Sequence, residues 1–383
     1  MIRASVGVAL SLVCASCGTA SESTGVPGGG SSASPAQNGD AGGPSSAGTV
    51  GCDDGRSRPD ASCGRLGWAT STATVRPRNH HLTLTATTDK GRCLYALGGF
   101  DTRKTTLRSV DRIAIGDDGA VGTSVAEPDL PMPVGGFTGG VVSGVLVIAG
   151  GMSASAIVDK TYSAVVGKDG ALAPWKSGPP LAHARFHAGG FVDADALYVL
   201  GGFDAGHVWS DVLRAKVTSD GAVSPWTSAG SLPGPRSHFS VSLVDGYVYL
   251  AGGLDKREET SFVPALRDVS RGRLDPDGSV VEWTDMPPLP VGLATHTSFF
   301  YGGYLYVAGG ISGVDALKEE KRVWRAPVQD DHALGSWESV TPLPRARGHV
   351  HQMPIVGGRV YSLGGALDLD LDSSDAVDIG SFR

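Results

Sequence analysis

Short apolar runs that end in a pair of glycines recur along most of the chain. Runs of about five apolar and β-branched residues bounded by glycine are typical of short buried strands. Six runs are found, and successive pairs lie 52, 51, 51, 57 and 55 residues apart. The pairs are Gly98-Gly99, Gly150-Gly151, Gly201-Gly202, Gly252-Gly253, Gly309-Gly310 and Gly364-Gly365. A period of about 50 residues predicts an array of similar β units.

Two further signals keep register with the glycine pairs. An Asp-Gly dipeptide follows each of the first four pairs, and Asp331-His332 follows the fifth. Asp-Gly between alternating runs favours a β-hairpin, so each unit is predicted to hold four strands. The fourth strand carries a tryptophan in units two to five, whereas Ser124 stands there in the first unit. These tryptophans are Trp175, Trp226, Trp283 and Trp337.

The glycine pair, the later tryptophan and a Leu-Pro-x-x-Arg segment before the next unit together resemble the kelch family of β-propellers. The resemblance covers about residues 63–383. It implies an all-β fold, a six-bladed kelch-type β-propeller. The physics agrees, because one four-stranded sheet cannot bury both of its faces, whereas a ring of such sheets can.

The last unit predicts how the ring closes. It has an inner strand at His349–Val356, a second at Val360–Leu363 and a third near Asp375–Phe382, after which the chain ends. Trp68 lies ten residues before Arg78, a spacing that later units repeat. Residues near 64–72 are therefore predicted to complete the C-terminal blade, because the sheet would otherwise keep an open edge.

The first residues predict export. Arg3 and an apolar run before small residues and Cys17 are typical of a signal peptide over residues 1–16. The segment resembles a bacterial lipobox, which implies that Cys17 is lipidated. Residues 17–50 read as a Gly/Ser-rich disordered linker and 51–383 as the propeller. We expect an outer-membrane lipoprotein, facing the periplasm or the cell surface, that meets the membrane only through its lipid anchor.

Three further cysteines lie in the exported part of the chain. An oxidising compartment favours a disulfide between Cys52 and Cys63, which would close a short loop. A Cys63–Cys93 bridge stays open, since both positions fall on one face of the predicted disc.

Composition narrows the function classes. The 56 glycines fit many tight turns, and the net charge of −7 argues against nucleic-acid binding, which needs a basic face. The acidic segment Asp368–Asp375 offers carboxylates to calcium, but the glycine that bends such a loop is absent and a solvated turn is favoured. We therefore expect no metal site and no cofactor.

Candidate binding residues converge on one face, where the loops entering the first strand of each blade meet those leaving the second. They are Arg78, Arg185, Arg236, Arg347, Asp204, His207, Trp209 and Arg257. The arginines belong to a recurring Arg-x-His motif. They either pair internally, as a repeated fold would require, or form a cationic mouth for a carboxylate or anionic sugar. Trp209 is either a platform for a sugar ring or a residue packed on the adjacent blade.

These observations favour a monomeric, lipid-anchored module that binds an envelope or extracellular protein or a glycan. The alternative is a sugar epimerase or mutarotase, resembling the kelch-type sialic-acid epimerases. In that hypothesis Glu258, Glu259 or His207 would carry protons, and Arg185 or Arg236 would hold a carboxylate.

Overall fold

The computed structural model describes residues 65–154, 156–255, 265–313 and 317–382. In these ranges the chain is all β, with 26 strands and no helix. Consequently no helix in this part of the chain has the length and apolarity to cross a membrane. Several predictions lie outside the described residues: the leader 1–16, the linker 17–50, the lipidation of Cys17, the Cys52–Cys63 pairing, and the roles of Arg257, Glu258 and Glu259.

The strands are short, as the spacing of the glycine pairs predicts. The first thirteen are β1 (Leu66–Thr74), β2 (Leu82–Thr88), β3 (Gly91–Leu97), β4 (Val110–Ile115), β5 (Val121–Glu127), β6 (Thr138–Val142), β7 (Val145–Ala149), β8 (Thr161–Val165), β9 (Lys176–Ser177), β10 (Gly189–Asp193), β11 (Ala196–Leu200), β12 (Asp211–Lys216) and β13 (Thr227–Ser231).

The remaining strands follow the same order of elements. They are β14 (Ser240–Val244), β15 (Tyr247–Ala251), β16 (Val269–Leu274), β17 (Val280–Met286), β18 (Thr297–Tyr301), β19 (Tyr304–Ala308), β20 (Ile311–Ser312), β21 (Lys318–Glu319), β22 (Val323–Pro327), β23 (Glu338–Val340), β24 (Ile355–Val356), β25 (Arg359–Leu363) and β26 (Ala376–Phe382).

These strands form a propeller-like arrangement of antiparallel sheets. Four sheets have four strands: β2-β3-β4-β5, β6-β7-β8-β9, β18-β19-β22-β23 and β1-β26-β25-β24. An eight-stranded sheet contains β10 to β17, and its two halves are joined only by a parallel bridge between Gly230 and Val280. A two-stranded ribbon, β20-β21, lies in the connection between β19 and β22.

The predicted pairing of the segment near 64–72 with the C-terminal strand is confirmed. Strand β1 pairs antiparallel with β26, and Trp68 lies opposite Gly380. Its indole Nε1 donates a hydrogen bond to the carbonyl of Thr341 at 3.2 Å. The later tryptophans make the same bond to the preceding sheet, for example Trp337 to the carbonyl of Pro287. Trp68 therefore continues the series of tryptophans that staple neighbouring sheets.

The core lies between the sheets. Buried apolar side chains of the described residues form six clusters, each shared by two sheets or sheet halves that follow one another. One cluster joins the first and last units, since Leu94 and Ile113 pack with Tyr361 and Val377. Burial of such side chains is the main favourable term in folding. The ring is therefore closed by apolar packing as well as by strand pairing.

The glycine pairs are required where neighbouring sheets approach. Gly309 and Gly310 have φ values of +67° and +94°, in the region that favours glycine. A Cβ atom on Gly309 would lie 2.6 Å from the carbonyl oxygen of Arg347, and one on Gly310 would lie 2.6 Å from that of Ala294. The pair thus ends its strand and lets the next segment pack against the backbone.

One predicted element differs in extent from the structure. The inner strand expected at His349–Val356 forms a strand only over Ile355–Val356. Pro354 has no N–H to donate, and His349 has a φ of +55°, so neither residue suits an inner ladder. Cys93 is buried with a free thiol.

Candidate functional site

The two sets of loops that the repeat places on one face do meet there. In each unit the residue that follows the glycine pair forms an antiparallel bridge with the middle residue of Arg-x-His, or with the equivalent residue where the motif is absent. The bridges are Asn79–Phe100, Gly135–Met152, Phe186–Phe203, Ser237–Leu254, Ala294–Ile311 and Gly348–Ala366. The face predicted from strand direction is therefore the one on which these loops converge.

Six residues at the starts of the inner segments form a closed ring of backbone hydrogen bonds. Each N–H donates to the carbonyl of the equivalent residue in the preceding unit, at 2.7 to 3.1 Å. All six have φ values between +51° and +61°. The ring consists of His80, Gly136, His187, His238, Thr295 and His349. The third position of Arg-x-His is therefore a defined place around the channel axis.

The motif arginines are held inside the units. Arg185 is fully buried, and its guanidinium donates to the carbonyl of Gly201 at 2.9 Å and to both oxygens of Asp211. Arg78 pairs with Asp111, and Arg347 pairs with Asp378. Burial lowers the pKa of Arg78 and of Arg347 to about 10, so both are cationic at neutral pH.

Arg236 differs in its partner. It is also buried and donates to the carbonyl of Gly252, but its carboxylate partner Asp268 lies 3.8 Å away with 64% of its side chain exposed. The arginines therefore tie the end of the second strand to the third strand, as the structural interpretation predicts. A ligand contact by the four arginines stays a prediction, and their internal pairing does not favour it.

The loop with Asp204, His207 and Trp209 is organised by its own contacts. Asp204 accepts hydrogen bonds from the backbone N–H groups of Gly206 and His207. The Trp209 ring stacks on His183 at 4.1 Å and on His207 at 5.2 Å between ring centroids. Trp209 therefore packs on the segment that leads into its own sheet, and His183 covers part of the ring expected for a sugar.

Histidines fill one end of the channel. His80 stacks on His349 at 3.9 Å, and His187 stacks on His238 at 3.8 Å. His351 lies 5.1 Å from His187. One ring nitrogen from each of His80, His187 and His349 lies within 4.8 Å of the others. The structure thus assembles a group of metal-ligating side chains where the sequence analysis expects none.

Burial keeps these imidazoles uncharged. Desolvation is the main cause that lowers the pKa of His80, His187 and His349 well below 6.5, and neighbouring histidines add to it. The pKa of His238 falls to about 3 and that of His351 to about 4 for the same main reason. At neutral pH each ring therefore presents a neutral donor and acceptor pair, not a cation.

A cavity of about 180 Å³ adjoins the histidines along the channel. Its polar lining is made of imidazole, hydroxyl and amide groups from the inner strands and the ring. The lining residues that carry them are Thr138, His187, His238, Ser240, Thr295, His296, Ser298, His351 and Gln352. Among the residues that the structure describes, the lining holds no carboxylate, lysine or arginine, so this part of the cavity suits an uncharged polar group.

Glu319, on β21, lies close to the ring. Neither carboxyl oxygen has a hydrogen-bond partner among the described residues. A Cβ atom on Gly348 would lie close to both the Glu319 carboxyl and the Thr295 hydroxyl, so the carboxyl lies beside Thr295, one of the two ring positions without histidine. Burial raises the pKa of Glu319 to about 9, with smaller contributions from Asp368 and Glu320. The group is a neutral acid at physiological pH.

We expect Glu319→Gln to make the protein progressively more stable than the parent as pH rises. Above pH 4.5 the unfolded chain ionises this carboxyl, whereas the folded chain keeps its proton until about pH 9, so the parent loses stability across that window. Urea unfolding of both proteins at several pH values measures the difference. Glu282→Gln is the control: Arg273 lowers the pKa of Glu282, so the difference from the parent should stay constant above pH 4.5 and should change, in the opposite direction, only below that pH. Parallel curves for Glu319→Gln and the parent would contradict a neutral Glu319.

Comparisons with known proteins agree with this architecture. Beta-scruin of Limulus polyphemus is 27% identical over 180 residues, 45% of this chain and 18% of that protein. The N-acetylneuraminate epimerase of Escherichia coli K12 is 28% identical over 158 residues, 40% of each chain. Kelch-like protein 15 of Danio rerio is 26% identical over 185 residues, 44% of this chain and 28% of that one. The chain thus spans less than half the length of these curated relatives.

The solved structure titled "Structure of YjhT" superimposes with a TM-score of 0.63. The superposition covers 80% of this chain and 95% of that chain, at 14% identity, which compares the folds. No protein-family model matches the chain. The repeat, the sheets and these relatives agree. The chain is similar in sequence to kelch proteins and has a propeller-like fold. In this propeller the glycine pairs, the stapling tryptophans and the buried arginines are the repeated framework of the fold.

Two features of the site are missed by sequence reasoning. The sequence does not distinguish the two residues of Arg-x-His, although the arginine is buried within its own unit and the histidine lies at the ring. Glu319 stands in a segment that no repeat signal marks. The recurrence of histidine two residues after arginine in four units was the available signal for the first feature.

Proposed function

We propose that this propeller is a six-bladed kelch-type binding module, anchored by lipid at Cys17 to the cell envelope, which holds a neutral glycan at its channel mouth. The count of six is supported by the six-membered ring of backbone hydrogen bonds and by the six interfacial clusters. In that count the eight-stranded sheet is two blades, since a single bridge joins its halves. A bound protein segment is the other class of ligand that this module would suit.

The observation that carries the proposal is the chemistry of the cavity. Hydroxyl, amide and neutral imidazole groups are the donors and acceptors that match sugar hydroxyls, whereas a carboxylate or phosphate calls for a cation. A volume of about 180 Å³ is below the roughly 300–1,000 Å³ of pockets for drug-sized ligands. The cavity would therefore take one sugar residue, with the remainder of the glycan outside.

Binding of neutral saccharides, of N-acetylneuraminic acid and of peptides to the full chain tests this proposal. We expect saturation-transfer NMR to detect a neutral saccharide, and we expect Gln352→Ala to weaken binding by about tenfold, as the loss of a good hydrogen bond does. Thr227→Ala, at an exposed position of β13 outside the cavity, is the control. Binding of charged sugars alone, or binding indifferent to Gln352→Ala, would contradict the neutral-glycan proposal.

The second candidate is a sugar epimerase or mutarotase. Glu319 favours it, because a neutral buried carboxyl beside the ring is the type of group that can donate a proton to a sugar ring oxygen. The similarity to N-acetylneuraminate epimerase supports the same class. The proton carrier then differs from those expected from sequence, and a carboxylate-holding role for Arg185 is disfavoured by its pairing with Asp211.

An NMR assay of anomer exchange on N-acetylneuraminate and on neutral sugars discriminates the two candidates. An epimerase would accelerate exchange, and Glu319→Gln would remove the acceleration while leaving the fold intact. Exchange at the uncatalysed rate would leave the binding module as the function.

A further inference from the structure

We propose that His80, His187 and His349 form a three-imidazole site for one late first-row divalent ion, of the Zn²⁺, Cu²⁺ or Ni²⁺ type. One ring nitrogen of each lies within 4.8 Å of the others. The site goes beyond the glycan proposal and does not rest on it.

The backbone fixes the positions from which the three imidazole side chains project. All three residues belong to the hydrogen-bonded ring at the channel axis and have φ values of +51°, +51° and +55°. Between His80 and His187 the equivalent position is Gly136, which contributes no side chain. The three imidazoles therefore approach one another from separate units that are closed into one rigid ring.

Two of the three rings have buried nitrogens without a partner. His187 Nδ1 and His349 Nδ1 make no hydrogen bond, although the two residues are 3% and 7% exposed. Buried polar atoms are nearly always satisfied, and an orphan that has no other explanation points to an ion or water. An ion at the centre of the group would bind one nitrogen of each of the three rings.

The third ring, that of His80, is also oriented to bind an ion. His80 Nδ1 lies 2.6 Å from Asn79 Oδ1. The Asn79 amide nitrogen donates to the carbonyl of Leu371 and to Ser373 Oγ, so its oxygen faces His80 and accepts the Nδ1 proton. His80 Nε2 therefore keeps its lone pair, in the arrangement by which an outer partner fixes the tautomer of a metal-binding histidine.

The donor set selects the class of ion. Neutral imidazole is the ligating form, and burial keeps these rings neutral at physiological pH. Imidazole suits zinc, copper and nickel, whereas calcium and magnesium require oxygen ligands. His81, the chain neighbour of His80, is not part of the group.

The separation of the nitrogens is close to what coordination needs. With metal–nitrogen bonds of about 2.0–2.1 Å, tetrahedral ligands lie about 3.3 Å apart. The nitrogens lie within 4.8 Å of one another, so coordination would require the rings to move slightly closer together. His187 also lines the cavity, so a fourth position on the ion would be open to water or to a ligand held there.

Calorimetric titration of the metal-free, untagged full chain with Zn²⁺ tests the site. We expect one ion per chain, and we expect alanine at His80, His187 or His349 to weaken binding by at least about tenfold. His296→Ala is the matched control, because His296 is an equally buried channel histidine that bonds Ser240 and is outside the group. Circular dichroism without metal establishes that each variant is folded.

Electron paramagnetic resonance of Cu²⁺ bound to the parent protein is a second test, which does not depend on whether the variants fold. Nitrogen couplings from three imidazoles on a single Cu²⁺ are expected. Absence of Zn²⁺ binding, couplings from fewer than three imidazoles, or loss of binding in His296→Ala but not in the three ligand variants would overturn the proposal. Failure of glycan binding would leave these results unchanged, so the two proposals fail separately.

Discussion

Replacement of Asp378 by alanine is expected to lower the free energy of unfolding by about 3–5 kcal/mol, the range for a buried ion pair that loses one partner. Asp378 is fully buried on β26 and pairs with the equally buried guanidinium of Arg347. It also accepts a hydrogen bond from Thr70 Oγ1 of β1 at 2.6 Å. The variant leaves the Arg347 charge buried without its carboxylate and removes a bond that closes the ring.

The same motif supplies the control. Asp268 is the corresponding partner of Arg236, but 64% of its side chain is exposed and the contact is 3.8 Å. Because the Asp268 carboxylate is mostly exposed and lies farther from its guanidinium, Asp268→Ala should cost clearly less than Asp378→Ala, even though Arg236 is buried. Urea denaturation of both variants measures the contrast. Equal losses for Asp378→Ala and Asp268→Ala would mean that burial does not set the value of these pairs.

A chain shortened to begin at Arg78 is expected to lose most of its stability and to aggregate. It lacks β1, so β26 would present a free edge of unpaired N–H and carbonyl groups. Buried Leu66 and Val75 alone contribute about 1.5–3 kcal/mol each, against a total of about 5–15 kcal/mol for an ordinary domain. Thermal melting and light scattering measure the loss.

A chain that begins at Arg65 is the control, and we expect it to melt like the parent. A synthetic peptide of residues 65–76 should restore the shortened chain by adding the missing strand, whereas the same peptide with Leu66→Asp should not. Unchanged melting of the chain that begins at Arg78 would contradict the role of β1 in closure.

The fold is largely predictable from sequence because its signals repeat. Each glycine pair, Asp-Gly turn and tryptophan is weak alone, but recurrence in register fixes the strands and their direction. The missing fourth strand of the last unit and the position of Trp68 predict the pairing of β1 with β26, which the structure confirms. The short inner strand β24 was overestimated, because an apolar pattern does not reveal the left-handed backbone at His349.

The sequence predicts which face of the propeller carries the site, but not which side chains meet there. Sequence spacing shows that Arg185 and His187 belong to one loop, but it does not show that one side chain is buried against Asp211 while the other meets histidines of other units. That distinction depends on side-chain direction at a residue with positive φ. Glu319 is missed for a related reason, since its altered pKa comes from packing beside Gly348, which is distant in sequence.

The most direct test of the closed ring is a cross-link between its first and last strands. Ala69 and Ile379 are directly opposed in the β1–β26 pair, where Cβ atoms lie about 4.5–5.5 Å apart. In the full chain with Ala69→Cys and Ile379→Cys, mild oxidation followed by peptide mass spectrometry should yield the 69–379 disulfide in nearly every molecule. The combination of Ala69→Cys with Thr227→Cys should yield none. Absence of the 69–379 disulfide from the folded protein would contradict closure by these two strands, and with it the placement of every residue at the channel mouth.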